Sequence, residues 1–376
     1  MKRKLSDTIL IAVIISVLTV ALFRTFFFAK SVNEYENRPA NKLEAPTVQS
    51  IADGKFQQST DKALSDQFPF SESFKKIYNT INSAYLKFIT DPLKKSSQNK
   101  YMELMGMKLY DGEFFCTRIF SLDDYRQYFD ISSANINSLI NSMPETEFYG
   151  YYVEKDIDLD FETGERFGAY DYLKQKIDLS HFEKFSVQSF DTYKKNFYKT
   201  DHHWNSDGSY KAYTQLVNML GVGAPLEIKD KKLVTDKFSG AYAKGKGISG
   251  YYENLYVNLF DYSPKSVYYK GEKQQSYGKS DTDFTYGGWY GIDTGEVIFE
   301  NDNKDGQNLL VVGDSYDNAV IELLSSHFNK LCAIDPRYIS DFNIKEYVKE
   351  HKIDKVLFIG CANFYFENQF DFGGAK

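Results

Sequence analysis

Cysteine is scarce in this chain of 376 residues: there are three, Cys116, Cys332 and Cys361. An odd number without metal-ligand spacing yields neither a disulfide framework nor a zinc site. Cys332 and Cys361 lie in the apolar runs Leu331 to Ile334 and Val356 to Cys361, and read as small buried hydrophobes. A basic excess is missing as well. Lys and Arg total 45 against 52 Asp and Glu, and the net charge of −7 argues against nucleic acid as a partner. No second apolar stretch of spanning length follows the first thirty residues, and the mean hydropathy is −0.47, which excludes a multi-span membrane protein. Histidine is sparse too, with five in all, yet His202 and His203 are adjacent.

What is present begins with Lys2, Arg3 and Lys4, followed by an uncharged run from Thr8 to Phe23, then Arg24 and Thr25 to Ala29. A bilayer core needs a helix of roughly twenty apolar residues, which Thr8 to Ala29 supplies if Arg24 snorkels to the interface. The three leading cations predict a cytoplasmic N-terminus, a single-pass signal anchor and an extracellular remainder at the cell membrane. A cleaved signal peptide is the competing reading; Lys30 and the bulky Phe26 to Phe28 around the small-residue site argue against it.

The organisation predicted along the chain is a tip and anchor over 1–30, a stalk and N-terminal helical segment over 31–100, and a catalytic domain over 101–376. Phe68, Phe74, Ile77, Ile81, Tyr85 and Phe88 recur at three- and four-residue steps, as on a buried helix face. Residues 206–220 predict a helix with Ser206 as N-cap and Tyr210, Tyr213, Leu216, Val217 and Leu220 as its apolar stripe. The Tyr- and Gly-rich stretch at about 240–295 reads as an insertion of short strands and loops, and as a substrate surface. After it, the apolar runs Leu309 to Val312, Leu331 to Ile334 and Lys355 to Gly360 alternate with helical segments at 318–329 and 344–351. Continuous apolar strands alternating with helices predict an α/β fold with a mostly parallel sheet covered on both faces, and ligands in such folds sit beyond the carboxyl ends of the strands.

Two segments carry candidate chemistry. Gly313-Asp314-Ser315-Tyr316 closes the strand at Leu309 to Val312, so the Ser315 hydroxyl would stand in a tight turn before a helix. The plain alternative is a helix cap. Asp201-His202-His203-Trp204-Asn205 precedes the 206–220 helix. His203 would be a base and Asp201 its orienting acid, two residues apart on one side of an extended segment, with His202 on the other side. Trp204 reads as a packing residue, or more sharply as a substrate platform. No metal is expected, because adjacent histidines on an extended segment diverge and no third ligand spacing accompanies them. No cofactor is implied. Acid, base and hydroxyl together are the inventory of a serine acyl-transfer enzyme. Aromatic residues form 17% of the chain, enough to line a sugar-binding groove, although codon bias in an AT-rich genome would have the same effect.

The Asp201 to Asn205 segment resembles the signature of the DHHW protein family. Gly313-Asp314-Ser315 resembles the nucleophile block of SGNH hydrolase-like proteins, and the Asp-x-His pair upstream of the serine is similar to the alginate O-acetyltransferase branch. Glu36 to Pro39, Asp53 to Phe56 and Asp66 to Phe70 resemble that family's post-membrane segment. The resemblance implies an SGNH-like three-layer α/β/α fold preceded by a transmembrane helix, with Ser315 as nucleophile, His203 as general base and Asp201 as its partner. It further implies oxyanion or substrate-binding roles for Arg337, Asn363 and Tyr316, although no separate glycine block for an oxyanion hole is evident. The implied activity is O-acetylation of a cell-surface or secreted polysaccharide through an acyl-serine, with a multi-span membrane acyltransferase supplying the acetyl group. Carbohydrate O-acetylesterase activity with the same triad is the first alternative. A non-catalytic glycan-binding envelope protein is the second.

Overall fold

The computed structural model describes residues 2–33, 38–68, 73–74, 77–78, 80–81, 84, 101–248, 250–280, 283–291, 293, 295–303, 306–339 and 342–367. The chain forms two compact units, residues 1–91 with 247–249, and residues 92–246 with 250–376.

In the first unit a helix runs over Lys2–Phe27, and shorter helices follow at Val48–Ala52 and Lys55–Gln67. The buried Asp66 accepts from the backbone and side-chain amides of Asn41, while Gln67 clasps the backbones of Lys30 and Asn41. The expected transmembrane anchor is overturned: among the described residues, no helix is long and apolar enough to cross a membrane. The expected span had to continue to Ala29, but the helix stops at Phe27. Its uncharged part, Thr8 to Phe23, is about 24 Å long at 1.5 Å per residue, short of the roughly 30 Å of a hydrocarbon core. The single-pass localisation and the membrane contact built on that anchor fall with it. The buried helix face expected of Phe68 to Phe88 is not seen among the described residues. Phe68, Phe74, Ile77 and Ile81 are exposed, and Tyr85 and Phe88 lie outside the described residues.

The second unit is built on an eight-stranded sheet. We number its strands β1 (Glu147–Val153), β2 (His181–Phe185), β3 (Ser266–Tyr269), β4 (Glu272–Gln274), β5 (Glu296–Glu300), β6 (Asn308–Gly313), β7 (Lys330–Ile334) and β8 (Lys355–Gly360). Their order is β4-β3-β5-β7-β6-β8-β1-β2. The strands from β7 to β2 are parallel, and β5, β3 and β4 extend the sheet antiparallel from β7. The fold is mixed α/β with a large, mostly parallel sheet.

Both faces of the parallel strands are covered, which is why they read as unbroken apolar runs rather than alternating ones. Leu309, Val311, Leu331, Leu357 and Ile359 share one core with Ala212, Tyr213, Leu216 and Leu220 of the helix Ser206–Leu220. Leu310, Val312, Ile334, Val356 and Phe358 share the other with Phe129 and Ile136 of Leu122–Asn141, Leu173 of Ala169–Lys176, and Ile344 and Val348 of Ile344–His351. The region from residue 240 onward is tied to this framework. β3 and β4 lie within it as sheet edge, and Glu253–Leu259 pairs with Asp230–Phe238 in a bulged ribbon. Strand β6 is a topological switch point, because the chain passes from it to β7 on one side and returns to β8 on the other. A crevice beyond the carboxyl ends of such strands is where ligands of open α/β sheets bind.

Candidate active site

Ser315 stands two residues past the end of β6. The turn that carries it is held by the buried Asp314, whose Oδ1 accepts from Tyr316 N at 3.1 Å and whose Oδ2 accepts from Cys361 N at 3.2 Å. One carboxylate thus ties the end of β6 to the residue after β8. Asp317 N donates to Asp314 O at 2.9 Å, closing the turn and leaving Ser315 half-buried. The helical segment expected over 318–329 is shorter, a 3-10 turn at Asp317–Ala319 followed by a helix at Ile321–Ser325. Ser315 does not cap it: the N-cap position is Tyr316, with no side-chain hydrogen bond.

The histidine segment is a tight loop between two helices. Phe197 and Trp204 bridge antiparallel, Tyr198 N donates to His203 O, and Asn205 N donates to Asn196 O. Trp204 is fully buried against Phe185 and Tyr316, which anchors the loop to the core. Asn205, rather than the expected Ser206, caps the following helix, its Oδ1 accepting from Asp207 N and Gly208 N at 3.0 Å each. An amide oxygen held in extended backbone reaches both free N–H groups of the first turn.

Asp201, His203 and Ser315 meet in one row. His203 Nδ1 lies 2.7 Å from Asp201 Oδ1, and His203 Nε2 lies 2.8 Å from Ser315 Oγ. An ionised carboxylate can only accept, so the proton sits on Nδ1 and Nε2 is left to accept from the serine hydroxyl. Asp201 also accepts from His203 N at 3.0 Å and, through Oδ2, from Ala241 N at 2.7 Å. Burial alone would raise the Asp201 pKa. Pairing with the His203 ring and the hydrogen bond from the Ala241 N–H outweigh burial and hold this carboxyl well below the usual carboxylate range.

His202 does not diverge from His203 as expected; the two ring centroids are 4.0 Å apart. Tyr316 holds the backbone there, its hydroxyl donating to His202 O at 2.6 Å. Burial, and the cost of placing a second positive charge beside the His203 ring, hold His202 well below its ordinary pKa, so it is neutral. Asp201, His202 and His203 bring possible metal-ligating atoms within 4.8 Å of one another. Both ring nitrogens of His203 and both oxygens of Asp201 are already hydrogen-bonded, a donor set that suits a proton relay better than a cation.

The other expected residues have these hydrogen-bond partners. Tyr316 is buried and spends its hydroxyl on the loop backbone. Arg337 grips Asp335, with Nε to Oδ1 at 2.9 Å and a terminal nitrogen to Oδ2 at 2.6 Å, and reaches Asp293 at 3.1 Å. Asn363 donates to Glu367 at 2.7 Å within its own helix.

Three contributors had no signal in the sequence. Tyr286 stacks on the His203 ring, with centroids 4.2 Å apart and planes 11° from parallel. Gly240 passes so close to Asp201 that an added Cβ would lie 2.6 Å from Asp201 Oδ2 and from Thr200 O. Glu253 accepts from Lys199 N, Thr200 N and Thr200 Oγ1, and Thr200 Oγ1 accepts from Gly240 N. The ribbon strand at Glu253 therefore fixes the backbone that presents Asp201.

No protein-family model matches the chain, and no curated protein matches it by sequence. Solved structures do. A DHHW family protein from Eubacterium siraeum DSM 15702 matches with TM-score 0.57 and 18% identity, over 72% of this chain and 96% of that one. Bacillus cereus PatB1 with a sulfonyl adduct matches with TM-score 0.54 and 20% identity, over 72% of this chain and 95% of that one. The O-acetyltransferase domain of Pseudomonas putida AlgJ is more distant, with TM-score 0.40 and 12% identity over 72% of this chain and 93% of that one. The sheet, its covering helices and the crevice at the end of β6 thus belong to a fold that this chain shares with a DHHW family protein and with PatB1.

Proposed function

We propose that this protein is a serine acyl-transfer enzyme that moves an acetyl group onto a hydroxyl of a polysaccharide. The observation that carries the reading is the hydrogen-bonded row Asp201, His203, Ser315, with the serine half-buried at the carboxyl end of a central strand. His203 Nε2 takes the Ser315 proton as Oγ attacks the acyl carbonyl. Asp201 keeps Nδ1 protonated and offsets the imidazolium charge. Tyr286 presents its ring face to that charge at stacking distance, a second source of stabilisation. The Ser315 N–H finds no acceptor among the described residues and is the group best placed to receive the developing oxyanion. Collapse of the tetrahedral species expels the donor's leaving group, which takes the His203 proton, and leaves an acyl-serine. A second hydroxyl, deprotonated by His203, attacks the acyl-serine and releases Ser315. An acceptor sugar makes this an O-acetyltransferase, with the acyl group delivered by a separate membrane acyltransferase as the resemblance implies. Water as acceptor makes it an O-acetylesterase.

The test is covalent labelling. Purified protein treated with a sulfonyl fluoride should gain one adduct, mapped by mass spectrometry to Ser315, and should hydrolyse p-nitrophenyl acetate. Ser315→Ala should do neither. A folded sample that is neither labelled nor active refutes the reading and leaves a non-catalytic glycan-binding role. Supplying an oligosaccharide acceptor then separates transferase from esterase by whether acetate or acetylated sugar accumulates.

A further inference from the structure

The unit that carries the serine row also holds a cavity that the acyl-transfer chemistry does not use. A cavity of about 180 Å3 opens among residues 258–323. Tyr262, Tyr277, Trp289 and Tyr290 form much of its wall, and its charged lining groups are Lys279 and Glu322. These two form an ion pair at 2.6 Å, so the cavity has an aromatic surface, a hydrogen-bonding rim and no net charge from its lining.

Its walls are continuous with the active site. Trp289 and Tyr290 share the five-residue helix Tyr286–Tyr290 with Tyr286, the ring stacked on His203. Tyr290 in turn packs against Tyr286 at 4.8 Å. Asn318, also in the wall, belongs to the 3-10 turn that follows Ser315, and its Oδ1 accepts from the Tyr277 hydroxyl at 3.0 Å. The rim is held under backbone strain. Lys279 adopts a left-handed conformation with φ 58°, and its N–H donates to Trp289 O at 2.9 Å. Left-handed backbone is costly for a residue with a side chain and persists where surrounding structure enforces it, often at ligand sites. Here it sets the Lys279 ammonium against Glu322 at the cavity wall. Gly278 is required beside it, since a Cβ there would strike the Trp289 carbonyl.

We infer that this cavity is a saccharide subsite that binds an uncharged hexopyranose ring of the acceptor glycan, a unit away from the hydroxyl that reacts at Ser315. Aromatic faces complement the C–H faces of a pyranose. The Lys279–Glu322 pair and Asn318 offer donors and acceptors to its equatorial hydroxyls. A uronate would place a carboxylate against Glu322, where the lining lysine, Lys279, is already paired, and Lys232 stands over the Trp289 ring, 5.0 Å from its centroid, rather than at Glu322. The inference rests on the acyl-transfer reading only for which part of the glycan reacts.

The experiment is a binding titration on the full chain carrying Ser315→Ala, using chitotetraose and tetramannuronate as probes. Chitotetraose should bind, and tetramannuronate should bind about tenfold more weakly or worse. Tyr290→Ala and Lys279→Met should each weaken chitotetraose binding about fivefold or more. Lys279 is a sound second variant because its side chain is 38% exposed, so it reports even if Tyr290→Ala fails to fold. No chitotetraose binding, binding unchanged in the folded variants, or tetramannuronate binding as tightly would each overturn the inference. Sulfonyl labelling of Ser315 in otherwise unaltered protein keeps the two failures apart. Labelling without saccharide binding removes the subsite alone, whereas binding without labelling supports the subsite and removes the acyl-transfer reading.

Discussion

Gly240→Ala tests whether the Asp201 carboxylate is positioned by the segment that joins the two strands of the ribbon. Gly240 has an ordinary backbone conformation, with φ −86°, so alanine meets no torsional penalty and acts through space alone. The new methyl would lie 2.6 Å from Asp201 Oδ2 and from Thr200 O, and nearer still to Asp201 Cβ. Opening the nearest of those contacts, 2.3 Å to Asp201 Cβ, to the ordinary 3.4 Å asks for about 1.1 Å of movement between Gly240 and the Asp201 backbone. The Ala241 N–H, now 2.7 Å from Asp201 Oδ2, moves with it. A misplacement of about 1 Å in a catalytic group costs on the order of a hundredfold. Losing one hydrogen bond to a charged group, worth about 1.5–3 kcal/mol, leads independently to a factor of about 10–150. The variant should therefore show kcat/KM for p-nitrophenyl acetate reduced about a hundredfold, mostly in kcat, while sulfonyl labelling of Ser315 slows in parallel. A thermal melt within a few degrees of wild type shows that the loss is local. Activity within threefold of wild type, in a folded protein, would refute the claim that Gly240 and Ala241 position Asp201.

Three further outcomes follow from the same geometry. His203→Gln should lose about a thousandfold or more in kcat/KM, whereas His202→Gln should stay within about tenfold, because His202 serves through its backbone carbonyl; equal losses would mean that the neutral imidazole also takes part. Trp204→Ala should destabilise the protein by about 3–5 kcal/mol in urea unfolding, as the loss of a fully buried indole implies, and a change below about 1 kcal/mol would show that the loop is not anchored there. Asp158 is pushed up to about 7 by burial, against hydrogen bonds from the Tyr152 hydroxyl and Lys155 N, with Glu154 and Lys155 nearby. Its folded pKa lies above the unfolded value, so from about pH 4 to about 7 the folded state holds a proton that the unfolded state lacks, and stability falls as pH rises through that window. Asp158→Asn should flatten that fall in melting temperature; an unchanged slope would acquit Asp158.

Much of the sheet could be read locally. Leu309 to Val312, Leu331 to Ile334 and Lys355 to Gly360 are strands because a parallel strand buried on two faces must be apolar throughout, and that leaves a contiguous signature. The helix at 344–351 was equally plain from its apolar spacing. The N-terminal helix was legible as a helix but not as a span. Periodicity registers apolar residues, while crossing a bilayer is decided by uninterrupted length, and the uncharged run ends too soon. The region after residue 240 was hardest. Whether Ser266–Tyr269 extends the main sheet or lies on its surface depends on pairing with Glu296–Glu300, a long-range contact with no local trace.

The same division runs through the candidate site. Residue types and chain order alone put an acid, an imidazole and a hydroxyl at the edge of an α/β sheet, because the strand before Ser315 and the helix after His203 are locally encoded. That these groups stand 2.7 and 2.8 Å apart was decided only in three dimensions, by packing across 112 residues of separation. Tertiary contacts also assigned the roles around them. Tyr286 faces His203 because its helix is docked there, and Gly240 is tolerated because Asp201 leaves no room for a methyl. Arg337 is held by Asp335 and Asp293, Tyr316 by the His202 carbonyl. Spacing along a chain constrains only near neighbours, whereas a proton relay needs three side chains brought together from distant segments, and only the folded core supplies that.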